Sequence, residues 1–599
     1  MRADPVAPAI RARAVAAARG AAPFDLLITG GTLVDVALGQ LRAADIGIVG
    51  PIIASVHAPG ARGDAAARID ATGRFLAPGF IDSHLHVESS LMLPADYAAT
   101  VVPAGTTTAL WDPHEVVNVA GLPGLDWAIA ASRGLKLRTL LMAPSSVPSA
   151  PGLEMAGAEI GPAEMASMLA RPEVAGIAEM MDMQGVLAGS DRMQGIAAAG
   201  FAAGKNLNGH ARGLTGGDLQ AYAAAGITSD HEIVDAADLL AKLGAGLTVE
   251  LRGSHDYVLP EAVAALTGLP MLPPNLVLCT DDIFPDELVA KGGLRDTIAR
   301  VIGRGLPAIA AIRCATLHAA MRLKRDDLGL VAPGRQADIV LLSDLDRVIV
   351  DRVLVAGRLV AEGGALLALP PRGDGPRGTM HLPPQPIDAF RLRVTGVPDG
   401  PARMRKIVGA RFVTWGEAEV MVAGGFAEPP PGHALITVIH RHGRIPPLPQ
   451  TCLTDGWGEP AGAIATTIAH DSHNLLVLGR DPSRMQQAAN AVIAAGGGMA
   501  VAAAEGVTLL PLPICGLLAD TPPQETAAAF ARLRAAADRA FTWRPPYAVF
   551  RGVTGIALAC NPGPHPTDLG LSDGATGILL DPACGTAIGC GTLPSEEPP

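Results

Sequence analysis

Eight short apolar runs, each closing on or near polar or ionisable residues, recur between about residues 80 and 282. Alanine-rich stretches that read as helices separate them. Alternating strand-like and helix-like segments predict βα units, and eight such units predict a (β/α)8 barrel. In that fold the functional groups follow the carboxyl ends of the strands. The runs are FIDSHLH (80–86), TTTAL (106–110), RTLLMA (138–143), VAGIAEM (174–180), NLNGH (206–210), GITSDH (226–231), LTVELRG (247–253) and LVLCTDD (276–282).

The chain has 599 residues, more than one barrel needs, and the flanking segments predict further domains. Strand–turn–strand patterns stand on both sides of the barrel, and a Pro/Gly/Arg-rich stretch follows them. The predicted fold class is α/β: a TIM-like (β/α)8 barrel with a small flanking β domain and an additional C-terminal α/β domain. The predicted boundaries are 1–23 for an N-terminal helical extension, 24–75 plus 326–368 for the small β domain, 76–325 for the barrel, 369–384 for a linker and 385–590 for the C-terminal domain.

Charge and composition restrict the partners that such a chain can bind. The net charge of -12 disfavours nucleic acid, because an acidic surface repels phosphate backbones. No apolar run reaches the ~18 residues of a membrane span, and no secretory signal precedes the first strand. The seven cysteines form no C-x-x-C, which fits a reducing compartment. We therefore expect a cytoplasmic protein with a small-molecule partner, and the Ala-rich surface favours a homo-oligomer such as a dimer.

The first apolar run ends on His84 and His86, which are two residues apart. On a strand this spacing points both imidazoles to one face, where they can chelate one divalent ion. The pair alone is a weak signal, but other strand ends also offer groups that bind Zn²⁺, Mn²⁺ or Fe²⁺. These groups are Asp112 and His114, Glu179, His210, His231 and Asp281. Together they predict a divalent metal centre at one end of the barrel.

Several of these motifs resemble known sequences. PGFIDSHLH and the later APGRQADIVLL resemble the amidohydrolase superfamily, and longer segments resemble its adenine deaminase family more closely. The latter include DSHLHVESSLMLPADYA, VVPAGTTTALWDPHEVVNV, AGITSDHE and LCTDDIFPDEL. The segments ATTIAHDSHNL, AGGGMAV and LACNPGPHPTDLG are similar to the additional C-terminal domain of that family. The resemblance covers about residues 24 to 575.

The resemblance implies a reaction and a set of residue roles. The reaction is hydrolytic deamination of adenine to hypoxanthine and ammonia in purine salvage, at a binuclear centre of Mn²⁺ or Fe²⁺, with Zn²⁺ as an alternative. His84 and His86 are implied to hold one metal and His210 and His231 the other, with Glu179 bridging them. Asp281 is implied to be both a ligand and a proton shuttle. The candidates for the donor of the proton that N1 of the purine requires are Glu88, His231 and a neighbour of the metals. The alternative role of His231 is to orient the attacking hydroxide.

Other candidates near the strand ends have two open interpretations each. Asp112, His114 and Glu115 either bind a further metal or support the first one, and Asp282 is expected to support Asp281. Ser89 and Met181 are candidate substrate contacts or structural residues. Arg252, Ser254 and His255 are further candidate substrate contacts. They lie in the segment ELRGSHD (250–256), at the place where many family members have Arg-Glu-Gly-Ser instead. The HDSHN segment (470–474) and His565 are either hydrogen-bonded turns or part of a site over the barrel.

Two competing functions are kept beside adenine deamination. One is another amidohydrolase reaction, such as deamination of a different base or hydrolysis of a cyclic amide, because one barrel supports many chemistries. The other is a catalytically inactive relative that binds a purine or a partner. Mononuclear zinc deaminases, zincins and P-loop NTPases are excluded, since P-C-x-x-C, a complete H-E-x-x-H and G-x-x-x-x-G-K-[ST] are missing from the sequence.

Overall fold

The structure is a computed structural model that describes residues 4–410, 412–542 and 549–583. The chain begins with a helix and a group of strands that belong to the small β domain. They are α1 (Pro8–Ala18), β1 (Phe24–Asp35), β2 (Gln40–Val49), β3 (Ile52–His57), β4 (Ala65–Asp70) and β5 (Phe75–Pro78). Apart from Asp45, the buried side chains of β2 and β3 are apolar, and they pack against α1 and the rest of the sheet.

Eight strands and their helices then form the barrel. The strands are β6 (Phe80–Leu85), β7 (Thr106–Trp111), β8 (Arg138–Ala143), β9 (Val174–Met180), β10 (Asn206–Gly209), β11 (Ser229–Asp230), β12 (Thr248–Arg252) and β13 (Leu276–Cys279). The helices are α2 (Pro94–Val101), α3 (His114–Ala120), α4 (Leu122–Ser132), α5 (Pro162–Leu169), α6 (Met183–Leu187), α7 (Asp191–Ala202), α8 (Gly216–Ala224), α9 (Ala236–Gly244), α10 (Leu259–Thr267), α11 (Pro285–Lys291), α12 (Leu294–Gly303), α13 (Ala308–Arg313) and α14 (Ala319–Arg322).

The barrel strands are parallel and close into a ring. Strands β6 to β10 pair in chain order, as do β11 to β13. Parallel bridges from Leu207 to Ile227 and from Leu85 to Asp281 join the two groups. Gly209 permits close approach at the first of these seams, because a Cβ there would collide with the carbonyl oxygen of Ser229. Each of the eight apolar runs overlaps one of these strands, and the predicted fold class is confirmed.

The chain returns to the small β domain after the barrel. The returning strands are β14 (Ile339–Asp344), β15 (Ile349–Val355), β16 (Arg358–Glu362) and β17 (Ala365–Leu366). Strand β14 pairs antiparallel with β5, which places both ends of the barrel segment in one nine-stranded sheet. The predicted domain boundaries stay predictions, and two of their ends, residue 1 and residue 590, lie outside the described residues.

A ten-stranded sheet and three helices make up most of the C-terminal region. Its elements are β18 (Leu392–Arg393), β19 (Gly400–Val408), β20 (Thr414–Ala423), β21 (Phe426–Glu428), β22 (Ala434–Ile439), β23 (Gln450–Thr454), β24 (Ala463–Thr466), β25 (Leu475–Gly479), α15 (Pro482–Ala494), β26 (Gly498–Ala503), β27 (Gly506–Pro511), α16 (Pro523–Ala540), α17 (Val549–Gly555), β28 (Pro564–Thr567), β29 (Gly570–Asp573) and β30 (Ile578–Leu580). The last three strands form a small sheet of their own.

The C-terminal region packs directly on the barrel. One continuous apolar cluster joins Trp111 and Phe284 of the barrel region with Ile468 and Phe530 of the C-terminal region. Ion pairs surround it, for example from the Arg534 guanidinium to Asp286 (2.9 Å). In the part of the chain that the structure describes, no helix combines the length and apolarity that a bilayer span needs.

A buried lysine, Lys242, supports the part of the barrel that carries the predicted metal ligands His210 and His231. The Lys242 ammonium lies 2.8 Å from Asp230 Oδ2 and 2.9 Å from Asp238 Oδ2, with none of its side chain exposed. The other oxygen of Asp230 accepts a hydrogen bond from the Ala211 amide (2.6 Å). Asp230 precedes His231 and Ala211 follows His210, so this network positions the ends of β10 and β11.

We expect Lys242→Met to lower the free energy of unfolding by about 3–5 kcal/mol, because it leaves two carboxylates buried and unpaired. Urea unfolding followed by tryptophan fluorescence measures the change. Lys136→Met, at an exposed lysine, is the control and should stay within about 0.5 kcal/mol of the parent protein. Equal unfolding midpoints for the two variants would contradict the structural role of Lys242.

Candidate metal centre

The carboxylate of Glu179, at the end of β9, lies between two pairs of imidazoles. Its Oε1 is 3.2 Å from His84 Nε2 and 3.1 Å from His86 Nε2. Its Oε2 is 2.9 Å from His210 Nδ1 and 3.2 Å from His231 Nε2. These side chains are buried and come from the ends of four different strands. Each oxygen of Glu179 therefore faces one pair.

Asp281 follows β13 and faces the first pair from the other side. Its Oδ1 lies 3.5 Å from His84 Nε2 and 3.2 Å from His86 Nε2, and its Oδ2 contacts the Arg252 guanidinium. Burial opposes ionisation of Asp281, but Arg252 and the imidazoles outweigh it and hold its pKa well below the ordinary value. Asp281 is thus a buried, ionised carboxylate beside the His84–His86 pair.

The residues present fit a divalent metal centre. His84, His231 and Asp281 bring their ligand atoms within 4.8 Å of one another, and so do Glu179, His210 and His231. His84 Nε2 is buried and has no hydrogen-bond partner among the described residues. Imidazole and carboxylate donors at this density suit Zn²⁺, Mn²⁺ or Fe²⁺, and a cation would offset the mutual repulsion of Glu179 and Asp281.

Neighbouring groups orient the imidazoles. His86 Nδ1 lies 3.0 Å from the carbonyl oxygen of Asp112, which leaves Nε2 to face Glu179 and Asp281. His210 Nε2 lies 3.2 Å from Asn561 Oδ1 of the C-terminal region. Such outer partners fix the tautomer and ring orientation of metal-binding histidines. The C-terminal region therefore supplies part of the support for the centre.

Two arginines and two carboxylates extend the polar network beyond the centre. Arg252 contacts both Asp281 and Glu232, and Arg212 contacts Glu232 as well. Burial alone would raise the pKa of Glu232, but Arg252 and Arg212 outweigh it and hold that pKa well below the ordinary value. The two guanidiniums thus balance the acidic groups on the β12 side of the barrel.

A cavity opens over the centre and both domains line it. The barrel residues of its wall are His86, Ser89, His114, Glu179, Met181, His210, Arg212, His231, Glu232, Arg252, Asp281, Asp282 and Phe284. The C-terminal residues are Ile468, His470, Asp471, Arg551, Thr554, Gly555, Leu558 and Asn561. The wall combines polar and ionisable groups with apolar side chains that can contact a flat ring, as in a site for a small molecule.

The predicted site residues divide into those in this wall and those outside it. Among the described residues of the wall, His84, Glu88, Asp112, Glu115, Ser254 and His255 are not found. The Glu88 carboxylate instead accepts hydrogen bonds from Trp111 Nε1 (2.7 Å) and the Val116 amide (3.3 Å). Burial and the neighbouring Glu115 raise the pKa of Glu88 to about 8. Its described contacts are structural.

The remaining candidates around Ser89 and Arg252 have defined partners. The Ser89 hydroxyl donates to Glu115 Oε1 (3.1 Å) and contacts Asp282, so it links two of the predicted supporting carboxylates. Ser254 Oγ accepts a hydrogen bond from Arg252 Nε (3.0 Å). His565 is buried, with Nδ1 2.8 Å from the carbonyl oxygen of Ile556, and does not border the described cavity.

Several residues of the cavity wall were not predicted from the sequence. Arg212 and Glu232 stand beside recognised histidines, and their nearness to strand ends was the available signal. Asn561 lies in the motif LACNPGPHPTDLG, which resembles the C-terminal domain of the family, but the motif predicted no role for the asparagine. Arg551 and Thr554 both lie in α17 and belong to no motif, so only the packing of the domains brings them to the cavity.

Comparison with known proteins agrees with this architecture. The model of the amidohydrolase family matches residues 75–360, and that of the adenine deaminase C-terminal domain matches residues 412–577. "Adenine deaminase 2" of Rhizobium meliloti (strain 1021) is 56% identical over 575 residues, which is 96% of either chain. "Adenine deaminase" of Klebsiella pneumoniae subsp. pneumoniae is 52% identical and covers 98% of this chain and 97% of its own. The chain therefore belongs to the adenine deaminase family.

Proposed function

We propose that the protein hydrolyses adenine to hypoxanthine and ammonia, as a step of purine salvage. The observation that carries this proposal is the identity of more than half of the residues with adenine deaminases over nearly the whole chain. The geometry supports it, because a cavity of both domains lies directly over a cluster of buried metal-binding groups. The substrate is accordingly a purine base.

The metal centre of this proposal is binuclear. His84 and His86 would hold one ion and His210 and His231 the other, with Glu179 shared between the two pairs and Asp281 beside the first pair. Mn²⁺ or Fe²⁺ is the preferred metal and Zn²⁺ the alternative, since imidazole and carboxylate ligands accept all three. When bound, such ions lower the pKa of a water from about 15.7 towards ~7 and so provide a nucleophile at neutral pH.

Asp281 moves the proton that the reaction must transfer. It lies beside the His84–His86 pair, is ionised, and borders the cavity, so it can accept a proton from the water that attacks C6. It then returns this proton to the departing amino nitrogen, which leaves as ammonia. Arg252 contacts Asp281 and thereby orients the Asp281 carboxylate, which must reach both the attacking water and the departing amino nitrogen.

The cavity wall provides contacts for the purine ring. Met181, Phe284 and Leu558 are apolar, whereas Ser89 and Asp282 offer hydrogen-bonding groups. Of the two named N1 proton donors, His231 borders the cavity, whereas Glu88 lies outside its wall and contacts Trp111. Ser254 and His255 lie outside this wall, and we assign them to the support of Arg252 and its surroundings.

The cellular setting is also part of the proposal. The cysteine pattern and the nature of the substrate favour a cytoplasmic location. A homodimer stays a prediction from the sequence.

His84→Ala should lower the metal content, because it removes a nitrogen that faces both Glu179 and Asp281. Inductively coupled plasma mass spectrometry after growth with Mn²⁺ measures metal per chain. The control is His57→Ala, which removes a half-buried histidine of the small β domain. Full occupancy in the His84 variant would remove His84 from the ligand set.

Asp281→Asn should retain most of the metal but lower kcat on adenine by about 10²–10⁴-fold, the usual contribution of a general acid–base group. Release of ammonia measures kcat, and metal analysis of the same sample separates loss of proton transfer from loss of metal. Asp218→Asn, at an exposed aspartate of α8, is the matched control. A kcat equal to that of the parent protein would refute the shuttle role.

The substrate itself can be tested with a panel of adenine, adenosine, cytosine, guanine, dihydroorotate and hydantoin. We expect ammonia release to be fastest from adenine when the enzyme is reconstituted with Mn²⁺. Ring opening of the last two compounds is followed separately by absorbance. Hydrolysis of a cyclic amide without activity on adenine would overturn the proposed function in favour of another amidohydrolase reaction.

A further inference from the structure

A second group of histidines and carboxylates lies at the junction of the barrel and the C-terminal region. His114 and Glu115 begin helix α3 of the barrel. His470, Asp471 and His473 come from the HDSHN segment between β24 and β25. Four of these side chains are buried and His470 is nearly so. We call this group the junction cluster.

The distances within the junction cluster are those of ligands around one ion. His114 Nε2 lies 3.5 Å from Asp471 Oδ1, and His470 Nδ1 lies 3.4 Å from the same oxygen. Two ligands about 2.1 Å from one tetrahedral ion are about 3.4 Å apart. His114, His470 and Asp471 together bring their ligand atoms within 4.8 Å, and so do Glu115, His470 and His473.

Unpartnered atoms provide a second, independent observation. Within the described chain, four buried atoms of the cluster have no hydrogen-bond partner: His114 Nε2, Glu115 Oε2, Asp471 Oδ2 and His473 Nε2. Glu115 Oε2 and His473 Nε2 face each other at 3.9 Å. Buried polar atoms are rarely left unsatisfied, so several that converge on one place indicate a missing binding partner.

The junction cluster adjoins the centre at Glu179 and shares a border with it at His114. The Nδ1 atom of His114 lies 2.9 Å from Asp112 Oδ2 and 3.9 Å from Glu179 Oε1, whereas its Nε2 faces Asp471 Oδ1 at 3.5 Å, so the junction cluster offers a different nitrogen of the ring. Glu115 and His473 do not border the substrate cavity in the described structure. A purine could not satisfy them there, whereas a single ion behind the cavity wall could.

We propose that His114, His470 and Asp471 bind a divalent transition-metal ion of their own, with Glu115 and His473 as further ligands. The ion joins α3 of the barrel to the HDSHN segment of the C-terminal region and thereby holds the wall of the substrate cavity. Nitrogen and carboxylate donors in this proportion suit Zn²⁺, Mn²⁺ or Fe²⁺ rather than Ca²⁺ or Mg²⁺. This site does not depend on which substrate the protein accepts.

Metal stoichiometry tests the proposal. Full-length apo-protein is reconstituted with Mn²⁺, passed through a chelating column and analysed for metal per chain. Asp471→Asn and His470→Gln should each contain one equivalent less than the parent protein, whereas His84→Ala should keep the junction ion. Asp538→Asn, at an exposed aspartate of α16, is the control and should match the parent protein. Equal metal content in the parent and both junction variants would overturn the proposal.

Diffraction gives a second measurement that does not depend on how the variants fold. Crystals of the full-length parent protein, grown with Mn²⁺, are measured at the manganese edge. We expect an anomalous peak between His114, His470 and Asp471 in addition to density at Glu179. Peaks at Glu179 with none at the junction cluster would show that water fills this place, and the proposal would fail.

Discussion

The arrangement of the barrel depends on one buried carboxylate. Glu179 has imidazole nitrogens within 3.2 Å of both oxygens, and burial of such a charge is expensive unless partners offset it. The partners lie at or directly after the ends of β6, β10 and β11, so they meet only when the ring of strands is closed. A parallel barrel accomplishes this because the carboxyl ends of all its strands lie at one end.

The C-terminal region contributes residues both to the cavity wall and to the support of the metal-binding histidines. Asn561 contacts the outer nitrogen of His210, and the HDSHN segment brings His470 and Asp471 into the cavity wall. A shared apolar cluster and ion pairs such as Arg534–Asp286 hold the two parts together. The chemistry of the barrel therefore takes place in a cavity that neither part forms alone, and displacement of one part would expose the buried carboxylates to water.

The eight barrel strands and most of the candidate metal ligands could be predicted from the sequence, because each is marked by a short-range pattern. Apolar runs marked the eight strands, and ionisable groups such as Glu179 and Asp281 stood directly after them. Residues brought in by long-range packing gave no such signal. Arg551 and Thr554 reach the cavity only through the position of α17. Glu88 follows His86 closely and was one candidate for the N1 proton donor, but the turn after β6 directs its carboxylate to Trp111.

The pairing of β5 with β14 has a consequence for how the chain is made. The two strands are neighbours in the sheet, yet Pro78 and Ile339 are separated by the whole barrel segment. At about 5–20 residues per second, a ribosome needs roughly 13–50 s to produce that segment. During this time β5 presents an unpaired edge, and unpaired strand edges invite pairing with other chains. Nascent protein should thus depend on chaperones most strongly between the emergence of the first sheet strands and the arrival of β14.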